Sequence, residues 1–314
     1  MSEPVSAPVP SFADLGLDGD LIRALARRGI TEPFPIQAAS LPGSLAGRDV
    51  LGRGRTGSGK TVAFALPVVS RLLASTSRRR PHHPRALILV PTRELAVQVA
   101  ETVEFLAHAV GLSTMTVFGG VRYGAQLRKL ERGVDVVIAT PGRLEDLIDQ
   151  GACDLTNVEI TVLDEADLMA DMGFLPPVIR ILDQVPADGQ RMLFSATLDN
   201  EVATLVKTYL HDPLEHAVDA DRANPDTQHH LLLVTQANKL GVLTELVTGG
   251  GRTLAFTRTK TFAERLAREL SEAGIPALDL HGNLKQGARQ RHLAAFADGK
   301  ISVLVATDIA ARGI

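Results

Sequence analysis

The eight residues Gly54-Arg55-Thr56-Gly57-Ser58-Gly59-Lys60-Thr61 constrain this chain more than any other stretch. They follow the apolar segment Asp49-Val50-Leu51 and open a helix-like run at 62–73, giving a strand, a glycine loop and a helix in succession. Gly57 and Gly59 permit backbone conformations that a side chain forbids, so consecutive amides can turn toward one anion. The positive end of the following helix adds to the attraction. In such an arrangement Thr56, Gly57, Ser58 and Gly59 cradle phosphate oxygens, Lys60 reaches the outer phosphates, and the Thr61 hydroxyl faces Mg²⁺. The expected ligand is a nucleoside triphosphate.

Short β-branched or apolar runs recur at 86–90, 113–118, 135–139, 160–163 and 191–194. Between them lie stretches with helical spacing, such as Leu95, Val99, Val103 and Leu106. Strands that are apolar along their whole length are covered on both faces, which predicts an α/β fold around a parallel sheet. The alternation runs to about Tyr209, and the composition then turns polar. It resumes with strands expected at 230–234, 253–257, 277–280 and 301–306 and a helix at 261–273. The expected organisation is a disordered start at 1–11, a nucleotide-binding domain at 12–210, a linker at 211–228 and a second, incomplete α/β domain at 229–314. Its sheet is expected to continue into a covering helix beyond Ile314.

One cysteine, Cys153, among 314 residues excludes an intrachain disulfide and a cysteine-rich metal site and suits a reducing compartment. No apolar stretch has the length of a membrane span, so the expected location is the cytoplasm, with no membrane contact and a monomeric chain. A net charge of −3 offers no global attraction for a polyanion, so any such contact must be local. The richest basic stretch, Ser77-Arg78-Arg79-Arg80-Pro81-His82-His83-Pro84-Arg85, reads as a solvated loop, with an auxiliary phosphate contact as the alternative. With no tryptophan and 4% aromatic residues, stacking on an exposed aromatic platform is not expected to dominate.

Asp164-Glu165-Ala166-Asp167 follows the apolar run at 160–163, which places its acids at the carboxyl end of a strand, where ligands sit in doubly wound folds. Asp164 is suited to hold Mg²⁺ through water, and Glu165 to orient or deprotonate an attacking water. Three further strand ends carry phosphate-binding chemistry. In Thr140-Pro141-Gly142-Arg143, Thr140 is expected to cap a helix whose open amides and Arg143 seat a phosphate. Pro91-Thr92-Arg93 repeats the pattern, and Gly119-Gly120 allows close approach of a backbone. Together they suggest a track for a nucleic-acid backbone.

In this order the motifs resemble those of the DEAD-box family of ATP-dependent RNA helicases, across nearly the whole chain. The resemblance implies two RecA-like domains of the P-loop type that close on ATP, Mg²⁺ and RNA. It makes Gln37, within Gly29-Ile30-Thr31-Glu32-Pro33-Phe34-Pro35-Ile36-Gln37, the reader of the adenine edge, with Phe12 packing on the base. It makes Asp167, Ser195 and Thr197 the link between ATP hydrolysis and strand separation, and adds Arg258, Gln286, Arg289 and Thr307 as RNA contacts in the second domain. His281 is read as structural. Gly54 stands where the family usually has Ala, and Ile30 where it usually has an aromatic. The family's sixth motif, with its arginine fingers, does not occur in the 314 residues, so the resemblance implies ATP binding with poor hydrolysis. The same motifs also serve an ATP-gated RNA clamp; a DNA-directed helicase is the second alternative, against which the Asp164-Glu165-Ala166-Asp167 tetrapeptide and the segment ending at Gln37 argue.

Overall fold

Seven short strands, six of them made largely of buried residues, form one sheet in the first of two compact units, Met1–Arg222 and Ala223–Ile314. The structure, a computed structural model, describes residues 10–55, 57–218, 228–235 and 237–307. Thr56, expected in the phosphate cradle, lies outside the described residues.

The strands of the first unit are β1 (Val50–Arg53), β2 (Ala86–Leu89), β3 (Thr114–Val117), β4 (Val136–Ala139), β5 (Ile160–Asp164), β6 (Gln190–Ser195) and β7 (Leu214–Ala217). Their order is β3-β4-β2-β5-β6-β1-β7, and every pairing is parallel. Alternate residues feed two cores. Ile88, Ile138, Val162 and Phe194 join one face, and Leu87, Leu89, Val137 and Leu193 the other. The predicted both-faces-covered parallel sheet is what forms, and it has a chemical consequence: in an all-parallel sheet every carboxyl end lies at one edge.

Two segments differ from the sequence reading. The expected linker at 211–228 opens with a strand, because β7 pairs with β1 from Val50↔Leu214 to Arg53↔Ala217. An edge strand keeps one side in water, so Glu215 and Ala217 are exposed and the composition looks like a linker. The expected strand at 230–234 does not form, and Leu231 and Leu233 are fully exposed. The second unit instead holds β8 (Thr253–Thr257), β9 (Ala277–Leu280) and β10 (Val303–Thr307) in the order β8-β10-β9, all parallel. The helix Lys60–Ala74 follows the glycine loop, and Lys260–Glu272 covers the second sheet. No described helix is long and apolar enough to cross a membrane.

The amino edge of the first sheet is stapled by charge. Arg85, 4% exposed, donates to Glu159 Oε1 at 3.0 Å, to Asp135 Oδ1 at 3.3 Å and to the Leu72 carbonyl at 2.9 Å. Arg79 Nε donates to the other Asp135 oxygen at 2.9 Å. Two arginines of the basic stretch are therefore spent on structure, at the edge opposite the motifs. Cys153 is also inert: burial, and then the Asp154 charge, push its thiol up to about 12. Replacing Arg85 with Ala strands a buried carboxylate and should lower the unfolding free energy in urea by roughly 3 kcal/mol, the lower end for a broken buried pair because Arg79 still faces Asp135.

Candidate functional site

The strand order sorts the motifs. β5, β6 and β1 are neighbours, and from their carboxyl ends come Asp164-Glu165, Ser195-Ala196-Thr197 and the glycine loop. Lys60, the first residue of its helix and 5% exposed, places Nζ 3.0 Å from Glu165 Oε1. Two motifs 105 residues apart in sequence thus meet in one buried ion pair.

The loop is built for an anion. Gly59 (φ +90°) is the N-cap of the helix Lys60–Ala74 and supplies no capping side chain, which leaves the helix's first amides open. A Cβ on Gly59 would lie 2.5 Å from Gln37 Nε2 and 2.8 Å from Phe34 Cδ2. Ser58 Oγ is buried without a hydrogen-bond partner among the described residues. A buried orphan hydroxyl beside open amides and an ammonium fits a polyphosphate.

Gln37 is 1% exposed and clamps the loop: Oε1 accepts from Phe34 N–H at 3.0 Å, and Nε2 donates to the Gly59 carbonyl at 2.9 Å. Each end of the amide keeps one further valence. Phe12, expected against a base, is 3% exposed and belongs to the core with Leu17, Leu21 and Ile36. Burial of its large apolar ring is what places it there and leaves a base little of it to touch. The exposed ring beside the loop is Phe34, 55% exposed, which sequence reasoning quoted without giving it a role. Only the contact with Gly59 marks it out.

Glu165 adopts a left-handed conformation (φ 54°), which costs a non-glycine residue on the order of 1 kcal/mol or more and is sustained by its surroundings. Asp164, 3% exposed, accepts from the Glu165 amide at 3.1 Å. Burial first, and then the Glu165 charge, raise the Asp164 carboxyl to about 7, against the pull of Lys60. Asp167 Oδ2 accepts from the amide and the hydroxyl of Thr197, at 2.9 and 3.0 Å, and its own amide donates to Ser195 Oγ at 3.2 Å. Burial works against the Asp167 charge, but these bonds hold its carboxyl below the ordinary range. The three predicted coupling residues therefore join the ends of β5 and β6.

The other half of the edge, β3-β4-β2, carries the remaining motifs. Thr92 caps its helix, accepting from Leu95 N–H at 3.2 Å. The Arg93 guanidinium lies over the turn at Gly119 and Gly120: a Cβ on Gly120 (φ +83°) would sit 2.4 Å from Arg93 Nη1. Thr140 occupies the N-cap position, but its side chain makes no cap bond, contrary to the expected role. Gly142, in that first turn, has open space where a Cβ would be, and Pro91 precedes Thr92 as a buried residue. Arg143 donates to Gln126 Oε1 at 3.2 Å and stacks over Tyr123 at 5.3 Å, while Gln126 Nε2 donates to the Phe118 carbonyl at 3.1 Å. Gln126 and Tyr123 carry no local motif. Gln126 ties the Gly119-Gly120 turn to Arg143, and Tyr123 backs the same guanidinium, only through the fold.

Comparison with known proteins agrees. Residues 34–205 match the family described as DEAD/DEAH box helicase, and 238–314 the helicase conserved C-terminal domain. The chain is 44% identical to chloroplastic DEAD-box ATP-dependent RNA helicase 3A of Zea mays, over 97% of this chain and 42% of that protein. It is 42% identical to mitochondrial DEAD-box ATP-dependent RNA helicase 9 of Arabidopsis thaliana, over 97% and 50%. The chain belongs to the DEAD-box helicase family. It spans half or less of the length of these two relatives. Among solved structures, S. cerevisiae Dbp5 bound to RNA and ADP BeF3 matches with a TM-score of 0.83 at 30% identity, covering 97% of this chain and 77% of that one. A DEAD box protein of the hyperthermophile Methanococcus jannaschii matches at 0.61 and 32%, covering 97% and 82%. Both parallel-sheet units of this DEAD-box chain are thus RecA-like.

In the second unit of the DEAD-box chain, Thr257 and Thr307 are register partners at the carboxyl ends of β8 and β10, and exposed Arg258 follows directly. Gln286 and Arg289, expected on RNA, are 5% exposed each. Three residues apart on one helix, they share its inward face, so they offer a strand little surface. His281, 1% exposed, has Nε2 2.7 Å from Asp279 and 3.0 Å from Glu264, which fits its structural reading. The residues of the fifth motif from 308 onward lie outside the described ones.

Asp164 sets a pH dependence. Its folded value near 7 exceeds the ordinary 3.8, so between about pH 4 and 7 the folded state binds the extra proton and stability falls as pH rises. Asp164→Asn removes this loss. In nucleotide-free, metal-free buffer it should be more stable than the unsubstituted chain at pH 8, by on the order of a few kcal/mol, and equal to it near pH 4. Denaturant melts at the two pH values measure the difference.

Proposed function

We propose that this chain is the nucleotide- and RNA-gripping portion of an ATP-dependent RNA helicase, which binds RNA through its backbone and remodels short duplexes as ATP is bound and hydrolysed. The observation that carries the reading is the meeting of Lys60 with Glu165 at 3.0 Å, next to Asp164 and the Asp167–Thr197 bonds. Relatives named as ATP-dependent RNA helicases, and a structural neighbour bound to RNA and ADP BeF3, support the same substrates. Bound there, ATP with Mg²⁺ supplies a phosphoanhydride whose outer phosphorus is open to attack by water. The amides around Gly59 and the Lys60 ammonium hold the polyphosphate. Glu165 orients and deprotonates the water. No group of three or more His, Cys, Asp or Glu among the described residues is arranged to hold a metal. On this reading Mg²⁺ is carried mostly by phosphate and water oxygens, with Thr61 and Asp164 as the protein's donors. Arg93, Arg143 and the turn at Gly119 and Gly120 take the RNA phosphates, giving grip without sequence preference.

Equilibrium binding and turnover test this reading. Lys60→Ala should abolish measurable ATP affinity. Glu165→Gln should keep ATP affinity and, in the complete protein, lower RNA-stimulated hydrolysis by about a hundredfold or more, within the range general-base removal produces; equal turnover in the two proteins would remove Glu165 from its role. Strand-displacement assays beside RNA- and DNA-stimulated hydrolysis separate remodelling of RNA from clamping and from action on DNA.

Phe34 supplies the base with an apolar ring next to the Gln37 amide. Phe34→Ala should weaken ADP roughly tenfold, as loss of one stacking contact does, and leave inorganic tripolyphosphate binding unchanged. The chain has no tryptophan, so Phe34→Trp gives a single indole whose fluorescence should change with ADP and not with tripolyphosphate.

A further inference from the structure

We propose that the loop at 78–80 and the amino-edge end of the helix Tyr123–Glu131 form a second RNA-backbone contact, which extends the footprint beyond the strand-binding edge. This inference rests on the RNA-binding reading above. Arg78, Arg80, Arg128, Lys129 and Arg132 are all exposed, and none has an ion-pair partner among the described residues. The one acid in the 128–132 stretch is Glu131, with Glu101 and Glu104 across the neighbouring groove from Lys129. Five cations against these three acids leave an excess of positive charge in one region of a chain whose net charge is −3, and so a local positive field.

The fold brings the two segments together. His82 N–H donates to the Leu130 carbonyl at 2.8 Å, and a Cβ on Gly133 would lie 2.9 Å from the Arg80 carbonyl. Within the loop, Arg79 is held by Asp135, which anchors the backbone between the two free arginines. The helix then connects this patch to the strand-binding edge. Its first turn touches Arg143 through Tyr123 and Gln126, and its last residues carry the patch. Nine residues of helix span about 13 Å, a distance a strand leaving Arg143 covers within a few nucleotides. The ligand class follows from the donors. Four of the five cations are arginines, whose planar fork suits phosphate, and no exposed aromatic interrupts them, so the surface grips charge rather than bases.

Fluorescence anisotropy with the full chain tests this, using labelled oligouridylates of about six and about twenty nucleotides over a range of KCl concentrations. For the longer RNA, the triple variant Arg78→Gln, Arg80→Gln, Arg132→Gln should reduce the slope of log affinity against log salt by about 2 and weaken binding at least ~10-fold at low salt. The single variant Arg80→Gln should give about a third of that slope change. Binding of the short RNA and of ADP should not move. An unchanged slope for the long RNA, with binding intact, overturns this proposal alone. A loss confined to a polyglutamate competitor also overturns it, in favour of an acidic peptide. Failure of the unsubstituted chain to bind RNA of either length overturns the parent reading along with it.

Discussion

The Lys60–Glu165 ion pair is the interaction on which the rest of the carboxyl edge depends. Removing an ammonium and a carboxylate from water costs several kcal/mol each, and two apolar side chains would fill the space without that cost. Stability alone therefore does not account for the pair. It joins the loop after β1 to the end of β5, two strands that β6 separates in the sheet. A polyphosphate competes with Glu165 for the same ammonium, so on the proposed reading nucleotide binding and release of Glu165 are one event. The left-handed backbone of Glu165 and the near-neutral Asp164 beside it belong to the same crowded arrangement, in which the protein carries charge it cannot fully solvate.

A parallel sheet turns this local chemistry into a division of labour. On the proposed reading the motifs for phosphate, acid and coupling leave β1, β5 and β6, while those suited to a strand's backbone leave β2, β3 and β4. The boundary between the halves is the β2–β5 pairing, one strand spacing wide. Asp167 links the ends of β5 and β6: its side chain accepts from Thr197 and its amide donates to Ser195, and on the proposed reading this is the route by which a displacement at Glu165, two residues earlier, reaches the next strand.

What could be read from the sequence was what is local. The glycine loop, the acids at 164–167 and the buried strands declare themselves within a few residues, because phosphate cradles and strand burial are short-range demands. Contacts that the fold creates were hidden. Gln126 and Tyr123 matter through Arg143 and the Phe118 carbonyl, and nothing in their own neighbourhood marks them. Phe34 passed as part of a motif, and Phe12 was given to the base although the core claims it. The strand β7 looked like a linker because an edge strand half in water has a linker's composition. The run at 230–234 failed in the opposite sense, since its apolar residues suit a strand but find no partner among the described ones.

The basic stretch at 77–85 shows why composition alone does not settle what a cation does. Arg85, buried, faces Asp135 and Glu159, and Arg79, itself exposed, faces Asp135, so the charge of both is taken up by ion pairs at the amino ends of the central strands. Arg78 and Arg80, their neighbours in the same loop, face water, and the loop's packing against the end of the helix Tyr123–Glu131 adds the cations of that helix to theirs. The two acids thus do two things at once. They fix the loop's backbone, and by pairing with Arg79 and Arg85 they leave Arg78 and Arg80 as the loop's cations without an ion-pair partner among the described residues. A loop with the same residues but without Asp135 would carry more positive charge and hold it less firmly, and a diffuse charge on a mobile loop loses more entropy on binding than one already held in place.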